Sequence, residues 1–233
     1  MPETGRYRQL LETGRWFAEI PAGLRDALLG QGRLRRLGPG ETLFRRGDPP
    51  DGLYAVLNGT LRITALAEDG REALLTLIEP PGWFGEISLF DGRPRTHDAV
   101  AEGMALLLHV PQAALDRMLG AEPGWWHGMG LLAAHKLRLA FVALEDLALL
   151  PAPVRLARRL VLIAEGYGGG GPGPRRVVAV PQEQLAMMLA ISRQTTNQIL
   201  RQLEGHGVIA LRYGEIEILD LRGLKAAARL SAD

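Results

Sequence analysis

The chain contains no cysteine. That excludes disulfides, thiolate-ligated iron–sulfur clusters and cysteine-based zinc sites. Net charge is almost absent as well: 27 Lys and Arg stand against 26 Asp and Glu, so the overall balance of +1 names no partner. No apolar run approaches the roughly 20 residues that a membrane span needs, and the start, MPETGRYRQLLETGRW, lacks the apolar core of a signal peptide. The expectation is a cytoplasmic protein with no membrane partner. A P-loop Gly-Lys-Ser/Thr and a serine or cysteine nucleophile motif are both missing, so an enzyme is not expected. His97, His109, His127 and His135 show no metal-ligand spacing, and no metal site is assigned to them.

A length of 233 residues suits two modest domains, and a hydrophobic content of 47% suffices for a real core. The distribution of charge says more than its total. Residues 1–150 hold 16 Lys and Arg against 19 Asp and Glu, a net of −3, while residues 151–233 hold 11 against 7, a net of +4. An acidic first part and a basic second part suggest that only the second meets a polyanion.

Between residues 38 and 110, Gly59, Gly70, Gly82, Gly92 and Gly103 recur at steps of 11, 12, 10 and 11. Short apolar runs such as LYAVL (53–57), LRITAL (61–66) and MALLLHV (104–110) lie between them, a pattern of short strands that indicates a sandwich or barrel. Residues 6–29 read as mostly helical. From Gly128 the period changes, and Leu137, Phe141, Leu144 and Ala148 form a coiled-coil-like stripe on a long helix. Leu131, Leu132, Leu139, Val142 and Leu147 lie outside that stripe, so this helix needs cover on more than one side. A β-domain on one side and a second subunit on the other satisfy it, which predicts a homodimer. Pro151 and Pro153 break the helix. The expected organisation is a β-domain with an N-terminal helical part over 1–127, a dimerisation helix over 128–150 and a second, basic domain over 151–233.

Gly166-x-Gly168-x-x-Gly171 matches a dinucleotide fingerprint in letters only. It follows a helix and precedes Pro172 and Pro174, whereas that fingerprint must link a strand to a helix.

Residues 181–204, PQEQLAMMLAISRQTTNQILRQLE, read as a helix-turn-helix. Pro181 suits the first turn of one helix, Ala190-Ile191 the turn, and Ser192 the N-cap of a second helix. Ile199 and Leu203 face the first helix. Arg193, Gln194, Asn197 and Gln198 project from the other side; Arg pairs bidentately with guanine, and Asn or Gln with adenine. Thr195 and Thr196 can add phosphate or thymine-methyl contacts. GVIALRYGEIEILDL follows as a two-stranded wing with Gly214 at its turn and Arg212 and Tyr213 at its tip. The reading surface proposed is Ser192, Arg193, Gln194, Thr196, Asn197 and Gln198, with double-stranded DNA as the partner.

At this point the chain resembles the bacterial cyclic-AMP receptor/fumarate–nitrate regulator family of transcription factors over nearly its whole length. GETLFRRGDPPDGLYAVLNGTLRI (40–63) resembles its β-roll core, WFGEISLFDGRPRTHDA (83–99) its phosphate-binding cassette, and SRQTTNQILRQLEGHGVI (192–209) its recognition helix. The resemblance implies an α+β fold: an N-terminal, jelly-roll-like β-roll of the cyclic-nucleotide-binding type, a long dimerisation helix and a C-terminal winged helix-turn-helix. It implies a homodimeric regulator controlled by a small ligand, with RNA polymerase as a further partner. In cyclic-AMP-binding relatives the cassette's Gly-Glu meets the ribose hydroxyl and its Arg-Ser/Thr pair grips the cyclic phosphate. The matching ligand-binding positions are Gly85, Glu86, Arg95 and Thr96.

Two departures bear on the effector. His97 and Asp98 follow the Arg-Thr pair where small apolar residues are usual, and the Asp98 carboxylate can pair with Arg95 or repel a phosphate. The long-helix positions that offer hydroxyls to adenine fall on Ala140 and Phe141. The cofactor thus remains open: a cyclic nucleotide, including a cyclic dinucleotide, is compatible with the loop, and so is an empty pocket, but an iron–sulfur cluster is not. The alternative reading of the whole chain is a ligand-binding or interaction module whose helix-turn-helix is only structural, and it predicts DNA binding that ignores base sequence.

Overall fold

The segment that reads as helical near the start folds into three short helices: α1 (Arg8–Glu12), α2 (Arg15–Glu19) and α3 (Ala22–Gln31). In the computed structural model, residues 3–68, 70, 72–168 and 176–230 are described. Eight strands follow: β1 (Arg33–Leu37), β2 (Thr42–Phe44), β3 (Gly52–Asn58), β4 (Leu61–Leu66), β5 (Glu72–Ile78), β6 (Trp83–Phe84), β7 (Asp98–Ala101) and β8 (Ala105–Pro111), with helix α4 (Glu86–Asp91) between β6 and β7. They build two antiparallel four-stranded sheets of order β1-β8-β3-β6 and β2-β7-β4-β5. This is the expected β-roll.

The unbroken apolar run of β3 has a physical reason. Successive side chains on a strand point to opposite faces, and both faces of β3 are covered. Tyr54 and Val56 join Leu61, Phe84, Ala99 and Leu107 in one core. Leu53, Ala55 and Leu57 join Leu11, Phe17, Leu24 and Leu28 of the N-terminal helices in a second core. Helix α5 (Gln112–Ala121) closes that second core with Leu115 and Leu119.

Helix α6 (Trp126–Leu149) runs for 24 residues. Only Gly128, Met129 and Leu132, near its start, are buried. The chain divides into two compact units between Leu137 and Arg138, inside this helix. The second unit continues with α7 (Ala152–Ala164), β9 (Val177–Val178), α8 (Gln182–Leu189), α9 (Arg193–Gly205), β10 (Ile209–Arg212), β11 (Glu215–Ile218) and α10 (Leu221–Ala227). Strands β10, β11 and β9 form a three-stranded antiparallel sheet in that order. Its core holds Leu156, Leu160, Leu185, Leu200 and Leu224, all fully buried.

Pro151, in extended conformation, ends α6 and caps α7. The break is bridged: Arg158 of α7 donates from Nη1 to Asp146 Oδ1 at 2.6 Å and from Nε to Ala228 O at 2.9 Å. The glycine-rich match ends in residues 169–175, which lie outside the described residues; its Gly166 and Gly168 follow α7 directly, not a strand. Among the described residues no helix is long and apolar enough to cross a membrane.

Candidate ligand cassette and nucleic-acid interface

The cassette begins where β6 turns sharply into α4. Gly85 sits at φ 99°, and a Cβ there would stand 2.9 Å from Gly52 O and 3.0 Å from Arg95 Nη1. Only glycine allows that approach. Glu86 follows in the first turn of α4 and is 2% exposed. Its Oε2 accepts a hydrogen bond from Lys136 Nζ of α6 at 2.7 Å, so the buried carboxylate is paired.

Arg95 is 4% exposed. Its Nη2 donates to Asp51 Oδ1 at 2.5 Å and to Gly52 O at 2.6 Å, and its Nη1 to Gly85 O at 3.0 Å. The guanidinium carbon lies 4.5 Å from the centre of the Phe44 ring, a cation–π contact. Nε remains buried and without a hydrogen-bond partner among the described residues. The Asp98 carboxylate, for which pairing with Arg95 is one of two readings, accepts from the Arg46 backbone N–H at 2.6 Å. The carboxylate on Arg95 is that of Asp51, 44 residues away.

Asp51 is the centre of a network that sequence reasoning missed. Tyr54 donates its hydroxyl to the Asp51 carboxylate, and the His109 ring stacks on Tyr54 at 4.4 Å with its Nε2 2.9 Å from Asp51 O. Burial pushes the Asp51 carboxyl up, but hydrogen bonds from Tyr54 and Arg95 outweigh it and hold the group below the usual carboxylate range. Burial, then the Asp51 neighbour, pushes the Tyr54 hydroxyl far above its ordinary value. The network therefore favours a charged Asp51 and a neutral Tyr54 beside the Arg95 guanidinium.

Thr96 is exposed, and its Oγ1 lies 2.9 Å from His97 Nδ1. His97 is half-buried. Burial first and the Arg46 charge second lower its pKa, while Asp98 acts the other way. Among the described residues no group of three or more His, Asp or Glu side chains is placed to hold a metal ion.

In the second unit, α8 ends on Ala190 in left-handed conformation, φ 51°, which makes the short turn. Ser192 caps α9, its Oγ accepting from the Thr195 N–H at 3.0 Å. Ser192, Arg193, Gln194 and Gln198 are exposed on this helix. Thr196 is not: it is 0% exposed and donates from Oγ1 to Ser192 O at 3.1 Å. Its expected place among the base-contacting residues is therefore corrected. Thr196, Ile199, Leu200 and Leu203 form the buried stripe of α9 at helical spacing, and Thr196 belongs to that face. Asn197 is half-buried and engaged, donating to Gln182 Oε1 at 3.0 Å and accepting from Arg201 Nε at 3.3 Å. The wing turns at Gly214, φ 73°, with Tyr213 fully exposed beside exposed Arg212.

Residues 34–122 match the family model of the cyclic nucleotide-binding domain, and residues 154–227 match that of the Crp-like helix-turn-helix domain. A CRP-like cAMP-activated global transcriptional regulator of Mycobacterium tuberculosis is 33% identical over 191 residues, covering 82% of this chain and 85% of the relative. The chain belongs to the CRP/FNR family of transcription regulators. It is accordingly a DNA-binding transcription regulator. A cyclic AMP receptor protein of Thermus thermophilus is 31% identical over 196 residues, covering 83% of this chain and 88% of that one. Among solved structures, a CRP-family transcriptional regulator of Thermus thermophilus superposes with a TM-score of 0.67 at 26% identity, covering 85% of this chain and 98% of that chain.

The residues that hold the cassette arginine and glutamate, Asp51 and Lys136, had no local signal in the sequence. Gln182, the partner of Asn197, had one of position only, in the first turn of α8.

Proposed function

We propose that this CRP/FNR-family regulator is a homodimer whose cassette takes a phosphate-bearing cyclic nucleotide. Arg95 and Thr96 hold the phosphate, and Gly85 and Glu86 meet the ribose. The observation that carries this reading is the Arg95 side chain. Three of its N–H groups are satisfied internally, and Nε–H stays buried without a partner among the described residues. A buried unsatisfied donor is costly unless something fills it, and a phosphate oxygen suits a guanidinium edge. Support for a cyclic nucleotide also comes from the names of the Mycobacterium and Thermus relatives. For DNA, Arg193, Gln194 and Gln198 read bases, Ser192 and Asn197 hold the reading helix in register, and Arg212 and Tyr213 meet the backbone. In a dimer the two heads address half-sites about 34 Å apart.

Calorimetric titration with cyclic AMP, cyclic GMP and cyclic di-GMP tests the cassette, with Arg95→Lys as the variant. Lysine keeps a cation for Asp51 but lacks the Nε donor. Micromolar binding that Arg95→Lys removes, in a variant that still unfolds in one cooperative transition, is the expected result. No heat from any of the three nucleotides would overturn it.

A further inference from the structure

The hydrogen bond between Thr96 Oγ1 and His97 Nδ1, at 2.9 Å, can run in either direction. When Nδ1 carries only a lone pair, Thr96 spends its single proton on the ring and turns nothing but lone pairs toward an anion. When Nδ1 carries a proton, the ring donates and the hydroxyl proton is free for another acceptor. An imidazolium has protons on both nitrogens, so it permits only the second direction. It also adds a positive charge two residues from Arg95. A small apolar side chain at this position could do neither.

We infer that His97 is a proton-linked positioning residue of the cassette: its protonation frees the Thr96 hydroxyl to donate to a ligand phosphate and adds a cation at the rim. This rests on the reading of the cassette as a phosphate seat. Phosphate-bearing effectors then bind more tightly as pH falls, although a phosphodiester keeps its own charge throughout.

Two charged groups act on His97. Arg46, beyond β2, disfavours the imidazolium, and Asp98, at the start of β7, favours it. Asp98 is held by the Arg46 N–H, so it keeps its position beside the ring. With burial acting in the same sense as Arg46, the free protein holds a His97 pKa below the ordinary histidine value. A phosphate on Arg95 and Thr96 adds a nearby negative charge and raises it. The bound state thus holds the proton more tightly than the free state, and binding takes up a proton. Affinity is fully raised below the free-state pKa, and the gain is lost as pH rises through the bound-state pKa.

The experiment is calorimetric titration of the full chain with cyclic AMP, cyclic GMP and cyclic di-GMP at about pH 8 and about pH 5.5. Wild type is expected to bind about tenfold more tightly at the lower pH, the size of one charge-assisted hydrogen bond. His97→Ala is expected to lose that pH dependence and, near pH 8, to bind at least as tightly as wild type, because Thr96 is no longer tied to the ring. Thr96→Val, which keeps the shape and removes the hydroxyl, should lose most of the gain at low pH. Repeating the wild-type titration in buffers of different ionisation heat should report proton uptake, and the same comparison should report none for His97→Ala. A flat wild-type profile, or an equal slope in His97→Ala, sinks the role of His97 and leaves the cassette standing. Absence of binding by all three nucleotides at both pH values sinks the phosphate seat itself, and this inference with it.

Discussion

Gln194 and Thr196 stand two residues apart on α9, close to opposite sides of the helix, and their environments separate their roles. Thr196 is sealed inside with its hydroxyl on Ser192 O, whereas Gln194 is exposed near the N-terminus. Thr196→Val removes one internal hydrogen bond and is expected to lower stability by about 1 kcal/mol while leaving the operator preference unchanged. Gln194→Ala removes a proposed base-reading group and touches no core. It is expected to weaken binding to the preferred site by about 1–3 kcal/mol and to relax discrimination at one base pair. Competition binding against a set of single-base operator variants, paired with thermal unfolding, separates the two. A shift of base preference in Thr196→Val would return that residue to the reading surface.

At the level of elements, α6 is the outlier. Past Leu132 it presents Leu137, Phe141 and Leu144 at 56–61% exposure on a single chain, which is costly for apolar side chains in water. A partner helix removes that cost. Leu144→Asp places a charge in the middle of the stripe, so the chain is expected to sediment as a monomer and to lose at least about tenfold in operator affinity, because one head alone contacts one half-site. A dimer of normal affinity in Leu144→Asp would refute the helix pairing.

The elements most legible in the sequence are those with signals inside a few residues: the Ser192 cap, the Ala190 turn, the Gly214 wing and the Gly85-Glu86 entry to the cassette. Distant partnerships were not legible. Asp51 reaches Arg95 across 44 residues and Lys136 reaches Glu86 across 50, and nothing local to either residue marks the pairing. Thr196 was a different kind of miss. Its position three and four residues before Ile199 and Leu200 put it on the apolar stripe, but its hydroxyl suggested the polar face.

For the molecule as a whole, the proposed function requires a signal at the cassette to reach a reading head carried by the other compact unit, and α6 is the helix that runs from the first unit into the second. The proline break at Pro151 would interrupt it, were it not bridged. Asp146, in the last turn of α6 but one, is held by Arg158 of α7, and Arg158 in turn holds the end of α10 through Ala228 O. This arrangement ties the end of the long helix to the body of the DNA-binding domain, and under the proposed function it would carry a change in the helix past the proline. Asp146→Ala cuts that tie and leaves the Arg158–Ala228 contact in place. The expected outcome is a loss of coupling: the gain in operator affinity on adding effector falls by about tenfold, while affinity without effector stays within about twofold of wild type. Fluorescence anisotropy on one labelled operator, with and without saturating nucleotide, measures both quantities. An effector response that survives Asp146→Ala undiminished would show that the proline break transmits the signal without this ion pair.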